Sequence, residues 1–95
     1  MTGTTRSSQG LDARRRKLLF RSWHRGMREM DLILGTFADA RIDALTDDEI
    51  DQYERLLDIP DPQLLPWITG ESAAPLSVDT QILNIVLSFR CDMRF

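Results

Sequence analysis

The residues with the clearest chemical potential in this chain are the five from Arg25 to Glu29, which read Arg-Gly-Met-Arg-Glu. The planar guanidinium of an arginine can hold a carboxylate or a carbonyl through paired hydrogen bonds, which lysine cannot do. Gly26 removes the side chain that would keep a second protein's backbone away, and it permits a positive φ between two helices. We therefore predict that Arg25 and Glu29 project from a bare surface to contact a partner, rather than forming only an i,i+4 ion pair on one helix.

Catalytic chemistry has little support in the sequence. His24 is the only histidine, and it has no second metal ligand at a helical or loop spacing, so no zinc site is predicted. Cys91 is the only cysteine, which excludes an internal disulfide and agrees with a reducing compartment. No glycine-rich phosphate loop, dinucleotide-binding pattern or nucleophile elbow is present. We expect a protein that is not itself an enzyme and that binds no metal and no stable cofactor.

Charge is unevenly distributed along the chain. Residues 1–30 contain eight arginines or lysines and two acidic residues, whereas residues 31–95 contain four arginines and thirteen acidic residues. A basic first third attracts an acidic partner or a phosphate-bearing ligand, and it raises the rate of encounter more than the affinity. The alternative is a solvated helix face that keeps a small protein soluble, and charge alone does not separate the two.

Helices must position these residues, because apolar residues recur at helical spacing along the chain. A first helix begins near Leu11 with Asp12 as its N-cap, and a second, mostly buried central helix follows Gly26. Gly35 interrupts the second helix without a turn signal, so we predict a close contact between helices at that residue.

Three more helices follow. The capping box from Thr46 to Glu49 begins the third, which must end before Pro60. The pair Asp61–Pro62 supplies a cap and a first-turn proline for a short fourth helix that ends at Gly70. Asp79 is predicted to cap the fifth helix.

Together these elements predict an all-α protein that folds as a small five-helix bundle in a single domain. The predicted boundaries are a disordered N-terminal tail over 1–10, a helical domain over 11–90 and a C-terminal tail over 91–95. No apolar run is long enough to cross a bilayer, and no apolar leader begins the chain. We expect a soluble cytoplasmic protein with no membrane partner, which is a monomer when free.

The R-G-x-x-E pattern at residues 25–29 stands in a wider context of related segments. These segments are Arg15–His24, Met30–Gly35, Asp51–Glu54, Pro60–Pro62 and Trp67–Gly70. In this order, from about Leu11 to Phe89, the chain resembles the small assembly factors called SdhE in bacteria. Members of that family promote the covalent attachment of FAD to the flavoprotein subunit of succinate dehydrogenase.

The resemblance implies a function. Such a protein binds the flavoprotein subunit before the subunit joins the membrane complex, and it helps a histidine of the subunit bond to the 8α carbon of FAD. The reaction is largely autocatalytic, so a helper accelerates it by holding the subunit's domains in alignment. FAD is attached to the partner in the bacterial cytoplasm. By the resemblance, the partner-binding residues are Arg21, Trp23, His24, Arg25, Gly26, Arg28 and Glu29, and the basic helix over 14–21 steers docking.

Two alternatives stay open. The same residues fit a protein-binding helical module or a chaperone for another flavoprotein, such as fumarate reductase. Nucleic-acid binding through the basic residues Arg14–Lys17 is a remote alternative, which predicts phosphate contacts and a steep loss of affinity with salt. Because only one face is basic and the remaining surface is acidic enough to repel a duplex, we expect no nucleic-acid partner.

Overall fold

Five α-helices and no strand make up the part of the chain that the computed structural model describes, residues 11–75 and 81–92. The helices are α1 (Ala13–Trp23), α2 (Arg28–Arg41), α3 (Asp47–Leu57), α4 (Asp61–Ile68) and α5 (Gln81–Asp92). α1 packs along α2 and against α3, while α5 contacts α2, α3 and α4. The predicted all-α fold with five helices is confirmed.

The predicted starts of α1 and α3 are confirmed by their caps. Asp12 accepts a hydrogen bond from the backbone N–H of Arg15 at 2.7 Å. Thr46 and Glu49 form the capping box, with backbone-to-side-chain distances of 2.9 and 3.1 Å. Each cap satisfies a backbone N–H that has no acceptor inside its own helix. α3 ends at Leu57, before Pro60 as predicted.

α4 begins differently from the prediction. Pro60 occupies the N-cap position, Asp61 is the first helical residue, and no side chain caps the helix. The prediction that Asp61 caps α4 is wrong because its carboxylate binds the side chain of Arg25 instead. α4 ends at Ile68, before Gly70, whose φ is 82°. The predicted cap of α5, Asp79, lies outside the described residues, and α5 itself extends to Asp92, past the predicted boundary at residue 90.

The core is built around α2, which is mostly buried as predicted. Phe37 on α2 is fully buried and packs against the rings of Tyr53 and Phe89, with ring centroids 5.5 and 5.6 Å away. Burying each large apolar side chain contributes about 1.5–3 kcal/mol to folding. Other buried α2 residues are Met30, Ile33, Leu34 and Ala38.

A buried polar contact within this core fixes α1 against α3. Tyr53 is fully buried, and its hydroxyl lies 2.6 Å from the hydroxyl of Ser22. Ser22 lies 2.8 Å from the carbonyl of Leu18 and Tyr53 lies 3.4 Å from that of Leu34, so each hydroxyl has a backbone acceptor and either can donate to the other. Burial raises the pKa of the Tyr53 phenol, which therefore stays neutral and able to donate.

Gly35 lies beneath the indole ring of Trp23, where α1 and α2 approach each other. A Cβ atom at Gly35 would overlap three carbon atoms of that ring. The predicted close contact between helices at Gly35 is confirmed, and it orients the last turn of α1 just before the Arg25–Glu29 segment.

Candidate partner-binding site

Gly26 lies in the short joint between α1 and α2 and has a positive φ of 92°. It is exposed, and a Cβ atom built on it would meet nothing within 4 Å. Gly26 is therefore constrained by its backbone conformation and not by neighbouring atoms, since L-residues avoid positive φ. The predicted positive φ at a join between two helices is confirmed, and the surface at Gly26 is bare.

Arg25, by contrast, faces inward. Its guanidinium donates to the Asp61 carboxylate at 2.6 Å and to the carbonyls of Leu57 and Ile59 at 2.8 and 2.6 Å. Its side chain is 10% exposed, and that of Asp61 is 16% exposed. The carbonyl of Leu57, the last residue of α3, and that of Ile59, just beyond it, have no N–H donor within the helix. Together with the Asp61 carboxylate they offer three acceptors to one planar donor group. The prediction that Arg25 projects from the surface is wrong.

The backbone of Arg25 is held as well. Its N–H donates to the carboxylate of Asp31, in the first turn of α2, at 2.7 Å. Arg25 therefore ties the α1–α2 joint to the first turn of α2 and to the join between α3 and α4. We call Arg25, Asp31, Leu57, Ile59 and Asp61 the Arg25 clamp. A contribution of Arg25 to partner binding stays a prediction, and it would act through the joint that the clamp holds.

Trp23 and Arg21, two other predicted binding residues, also make contacts within the chain. Trp23 is 7% exposed, and its indole N–H donates to Asp39 at 3.2 Å. Arg21 donates to Asp58, beyond the end of α3, at 2.8 Å, with its side chain 32% exposed. The buried Trp23 side chain therefore supports the α1–α2 joint from the interior, and the partly exposed Arg21 side chain supports it at its edge.

Arg28 and Glu29 are exposed at the start of α2. They are its first two residues, and no hydrogen bond or ion pair of either side chain occurs within the described ranges. The α-helix dipole favours Glu29 at this end and disfavours Arg28. The i,i+4 pair between Arg25 and Glu29 does not form, because Arg25 precedes α2 and its guanidinium binds Asp61.

His24 lies on the surface, stacked on Phe20. The two rings lie 3.9 Å apart at an interplanar angle of 15°, and His24 Nδ1 is 2.7 Å from the Phe20 carbonyl. Because a carbonyl only accepts, Nδ1 carries the hydrogen and Nε2 is left free. Phe20 is 63% exposed, and sequence reasoning missed it. The available signal was its position off the apolar stripe of Leu18, Leu19 and Trp23.

The basic residues at the start of α1 are partly neutralised by the acidic third helix. Arg14 pairs with Asp51 and Glu54, and the hydrogen bond to Asp51 followed by that to Glu54 raises the pKa of Arg14. Arg15 pairs with Asp12 at 2.7 Å and donates to two backbone carbonyls beyond α2. The Arg14 pairs are exposed and contribute little to stability, but together with the Arg15 pair they lower the charge available for docking.

Three cations of α1 and the first turn of α2 remain: Arg16, Lys17 and Arg28. All three are exposed, and none has a side-chain ion pair with any residue in the described segments. The basic surface is thus smaller than the sequence predicts. This reduction weakens the alternative of nucleic-acid binding, since that affinity scales with the number of phosphates neutralised.

A family model described as the flavinator of succinate dehydrogenase, Sdh5, matches residues 16–90. The chain belongs to the Sdh5 family. The FAD assembly factor SdhE of Acetobacter pasteurianus is 39% identical over 78 residues, which cover 82% of this chain and 72% of the relative. A mitochondrial succinate dehydrogenase assembly factor 2 from Dictyostelium discoideum is 42% identical over 72 residues, covering 76% of this chain and 51% of the relative. The counterpart in Schizosaccharomyces pombe is 40% identical over 70 residues, covering 74% and 50%.

The chain therefore spans about half the length of these two mitochondrial relatives of the Sdh5 family. The family match includes every predicted binding residue and the whole Arg25 clamp. Within the ranges that the structure describes, no helix is long and apolar enough to cross a membrane.

In this member of the Sdh5 family, the structure groups the predicted residues into two sets. Trp23, Arg25 and, at the edge, Arg21 bind other parts of the chain. His24, Gly26, Arg28 and Glu29 are exposed. Two further residues, Asp31 and Asp61, hold the joint without having been predicted for the site. Asp31 binds the Arg25 backbone from six positions away, and Asp61 binds the Arg25 side chain from the start of α4.

Proposed function

We propose that this protein binds the flavoprotein subunit of succinate dehydrogenase and promotes the covalent attachment of FAD to that subunit. Membership of the Sdh5 family supports the proposal. The structural observation that best supports the proposal is the α1–α2 joint. There Gly26 is bare and has a positive φ, and the neighbouring Arg25 is fixed by the Arg25 clamp. A rigid, exposed joint of this kind suits a docking surface, because little conformational entropy is lost on binding.

The protein acts on this proposal as a helper and not as an enzyme. A histidine of the subunit makes the bond to FAD, and the helper holds the subunit so that this histidine and the flavin are aligned. The chain then needs no nucleophile, metal or stable cofactor of its own. Gly26 allows the partner's backbone to approach closely, while Arg28 and Glu29 offer polar contacts beside it.

Arg16, Lys17 and Arg28 are exposed cations of α1 and the first turn of α2 that can steer this encounter. We take the free helper to be a monomer in the bacterial cytoplasm. The flavoprotein subunit of fumarate reductase is the other client to be compared in the same assay.

Gly70 provides a matched control for a test of Gly26. Both glycines have a positive φ, 92° and 82°, and a Cβ atom on either would meet nothing within 4 Å. Replacing either by glutamine forces an L-residue into the same unfavourable region, at a cost of about 1–2 kcal/mol. The two variants should therefore lose similar stability, while only Gly26→Gln places a side chain on the proposed docking surface.

The assay incubates the apo flavoprotein subunit with FAD and each helper, then measures covalent flavin by fluorescence after denaturation. We expect Gly26→Gln to lower the rate more than about tenfold, the result of losing at least about 1.4 kcal/mol of binding. Gly70→Gln should stay near the unaltered helper. Equal rates for the two variants would show that Gly26 is not a contact. No stimulation by the unaltered helper would refute the proposed function itself.

A further inference from the structure

Phe20 is the one large hydrophobic side chain in the described ranges that is extensively exposed, at 63%. A single exposed apolar residue is ordinary on a protein surface and carries no argument by itself. Phe20 differs because it is already ordered. The His24 ring covers one of its faces at 3.9 Å, and the hydrogen bond from His24 Nδ1 to the Phe20 carbonyl fixes the stacked pair to the end of α1.

Ordering an aromatic side chain before binding favours its use as an anchor. The rotamer entropy that a partner would otherwise remove is already lost in the free protein. The other face and the edge of the Phe20 ring stay open to a partner. Interface residues with the largest effects are typically aromatic side chains that fill a pocket.

Charge distribution indicates what kind of pocket fits. Arg16, Lys17 and Phe20 lie at i, i+1 and i+4 on α1, within an arc of about 100°, and His24, the C-cap of α1, stacks on Phe20. The other three arginines of α1 bind carboxylates within the chain: Arg14, Arg15 and Arg21. Counting ion pairs among the described residues, the unpaired positive charge of α1 is thus concentrated on the face that carries Phe20.

We propose that Phe20, stacked on His24 and flanked by Arg16 and Lys17, inserts into an apolar pocket rimmed by carboxylates on the flavoprotein subunit. This inference rests on the proposed function and extends it from the α1–α2 joint along the exposed face of α1. The ring supplies most of the affinity, and the two cations select an acidic rim and speed the encounter.

The test measures the affinity of each helper variant for the purified apo flavoprotein subunit by titration calorimetry. We expect Phe20→Ala to weaken binding by about 30-fold, as for a central aromatic contact. His24→Ala leaves the ring in place but frees its rotation, so it should weaken binding by about two- to tenfold. Thermal unfolding of Phe20→Ala should match that of the unaltered chain, because the side chain is mostly in solvent.

Arg16→Gln and Arg55→Gln form a matched pair, since each removes one exposed arginine that has no ion pair among the described residues. Arg55 lies on α3, whereas Phe20 lies on α1. Arg16→Gln should slow association measured by stopped flow, by about two- to fivefold at low salt, and reduce its salt dependence. Arg55→Gln should do neither.

Flavinylation separates this proposal from the one on which it rests. The Phe20→Ala helper should reach half of its maximal flavinylation rate only at a higher concentration than the unaltered helper does. Its rate at saturation should be the same, because the ring contributes affinity and not alignment. Equal affinity of Phe20→Ala and the unaltered chain overturns the anchor alone. Binding that is absent even for the unaltered chain overturns both proposals. Self-association that Phe20→Ala abolishes, with subunit affinity unchanged, assigns the ring to a second copy of this chain and also overturns the anchor.

Discussion

Replacing Arg25 by methionine should destabilise the protein strongly even though the residue belongs to a predicted partner-binding motif. Methionine keeps most of the apolar length of the side chain and removes the guanidinium. The change leaves the Asp61 carboxylate without its cation and the carbonyls of Leu57 and Ile59 without their donors. These groups lie at the join between α3 and α4, so that join loses its attachment to the α1–α2 joint.

The magnitude follows from burial. Arg25 and Asp61 are 10% and 16% exposed, so removing one partner of this pair falls in the range of about 3–5 kcal/mol. Asp61 retains some access to water, which places the loss near the lower end. A chain of 95 residues has a total stability of about 5–14 kcal/mol. A loss of about 3 kcal/mol therefore lowers the melting temperature by about 12–24 °C.

Urea unfolding, followed by far-ultraviolet circular dichroism, measures the free energy directly. Arg28→Met is the control, since it removes an exposed arginine three positions later and should change the free energy of unfolding by less than about 0.5 kcal/mol. Asp61→Asn keeps an acceptor oxygen for Arg25 and should cost about 1–2 kcal/mol. The double variant with Arg25→Met should show a coupling energy of about 1–2 kcal/mol between the two positions.

One result would refute this reasoning. If Arg25→Met unfolds within about 0.5 kcal/mol of the unaltered chain but no longer stimulates flavinylation, Arg25 acts on the partner and not through the clamp. If the clamp is correct, the activity of Arg25→Met should recover on moderate cooling, in step with the folded fraction measured by circular dichroism.

Two further predictions concern local structure. Replacing a glycine by alanine on the exposed face of a helix adds about 1 kcal/mol of stability. At Gly35 the new methyl group would overlap the Trp23 ring, so we expect Gly35→Ala to lower the free energy of unfolding in urea by about 1–3 kcal/mol. Ala40→Gly, at an exposed position of the same helix, should cost about 1 kcal/mol from helix propensity alone, and stabilisation by Gly35→Ala would contradict the contact. Hydrogen bonds from the backbone and then the side chain of Arg15 hold the pKa of Asp12 below 3.8. The stabilisation from Asp12 is therefore complete above that pH and is lost as the pH falls through its lower folded-state pKa, so Asp12→Asn should flatten the pH dependence of thermal melts below about pH 4. An unchanged acid limb in that variant would contradict the assignment.

Most of the secondary structure could be predicted because its signals are local. The Asp12 cap and the capping box of Thr46 and Glu49 involve residues three positions apart, and each is present as predicted. Gly26 could also be predicted, since a glycine between two helical patterns indicates a positive φ. The Asp61 cap was mispredicted because a side chain 36 positions away competes for the same carboxylate.

In the candidate site, too, only the features with local signals could be predicted from the sequence. Phe20 and the Arg25 clamp were not predicted, because exposure and hydrogen bonding depend on which helices meet. The position of Phe20 off the apolar stripe of α1 indicates a surface residue, but how far its ring is exposed depends on the neighbouring helices. The arginines of α1 are alike in the sequence, yet Arg14 and Arg21 bind α3 or its end while Arg16 stays exposed.

The sequence by itself determined that the chain forms helices, where several of them begin and end, that Gly26 separates the first two, and which family the pattern resembles. Each of these properties rests on residues within a few positions of one another or on their order along the chain. Only the tertiary structure decided which cations are free to meet a partner. A guanidinium binds whatever acceptors folding brings within hydrogen-bonding distance, and for Arg25 those acceptors are 32 to 36 positions away along the chain. The motif residue predicted to reach outward is, for this reason, the one that holds the exposed glycine in place.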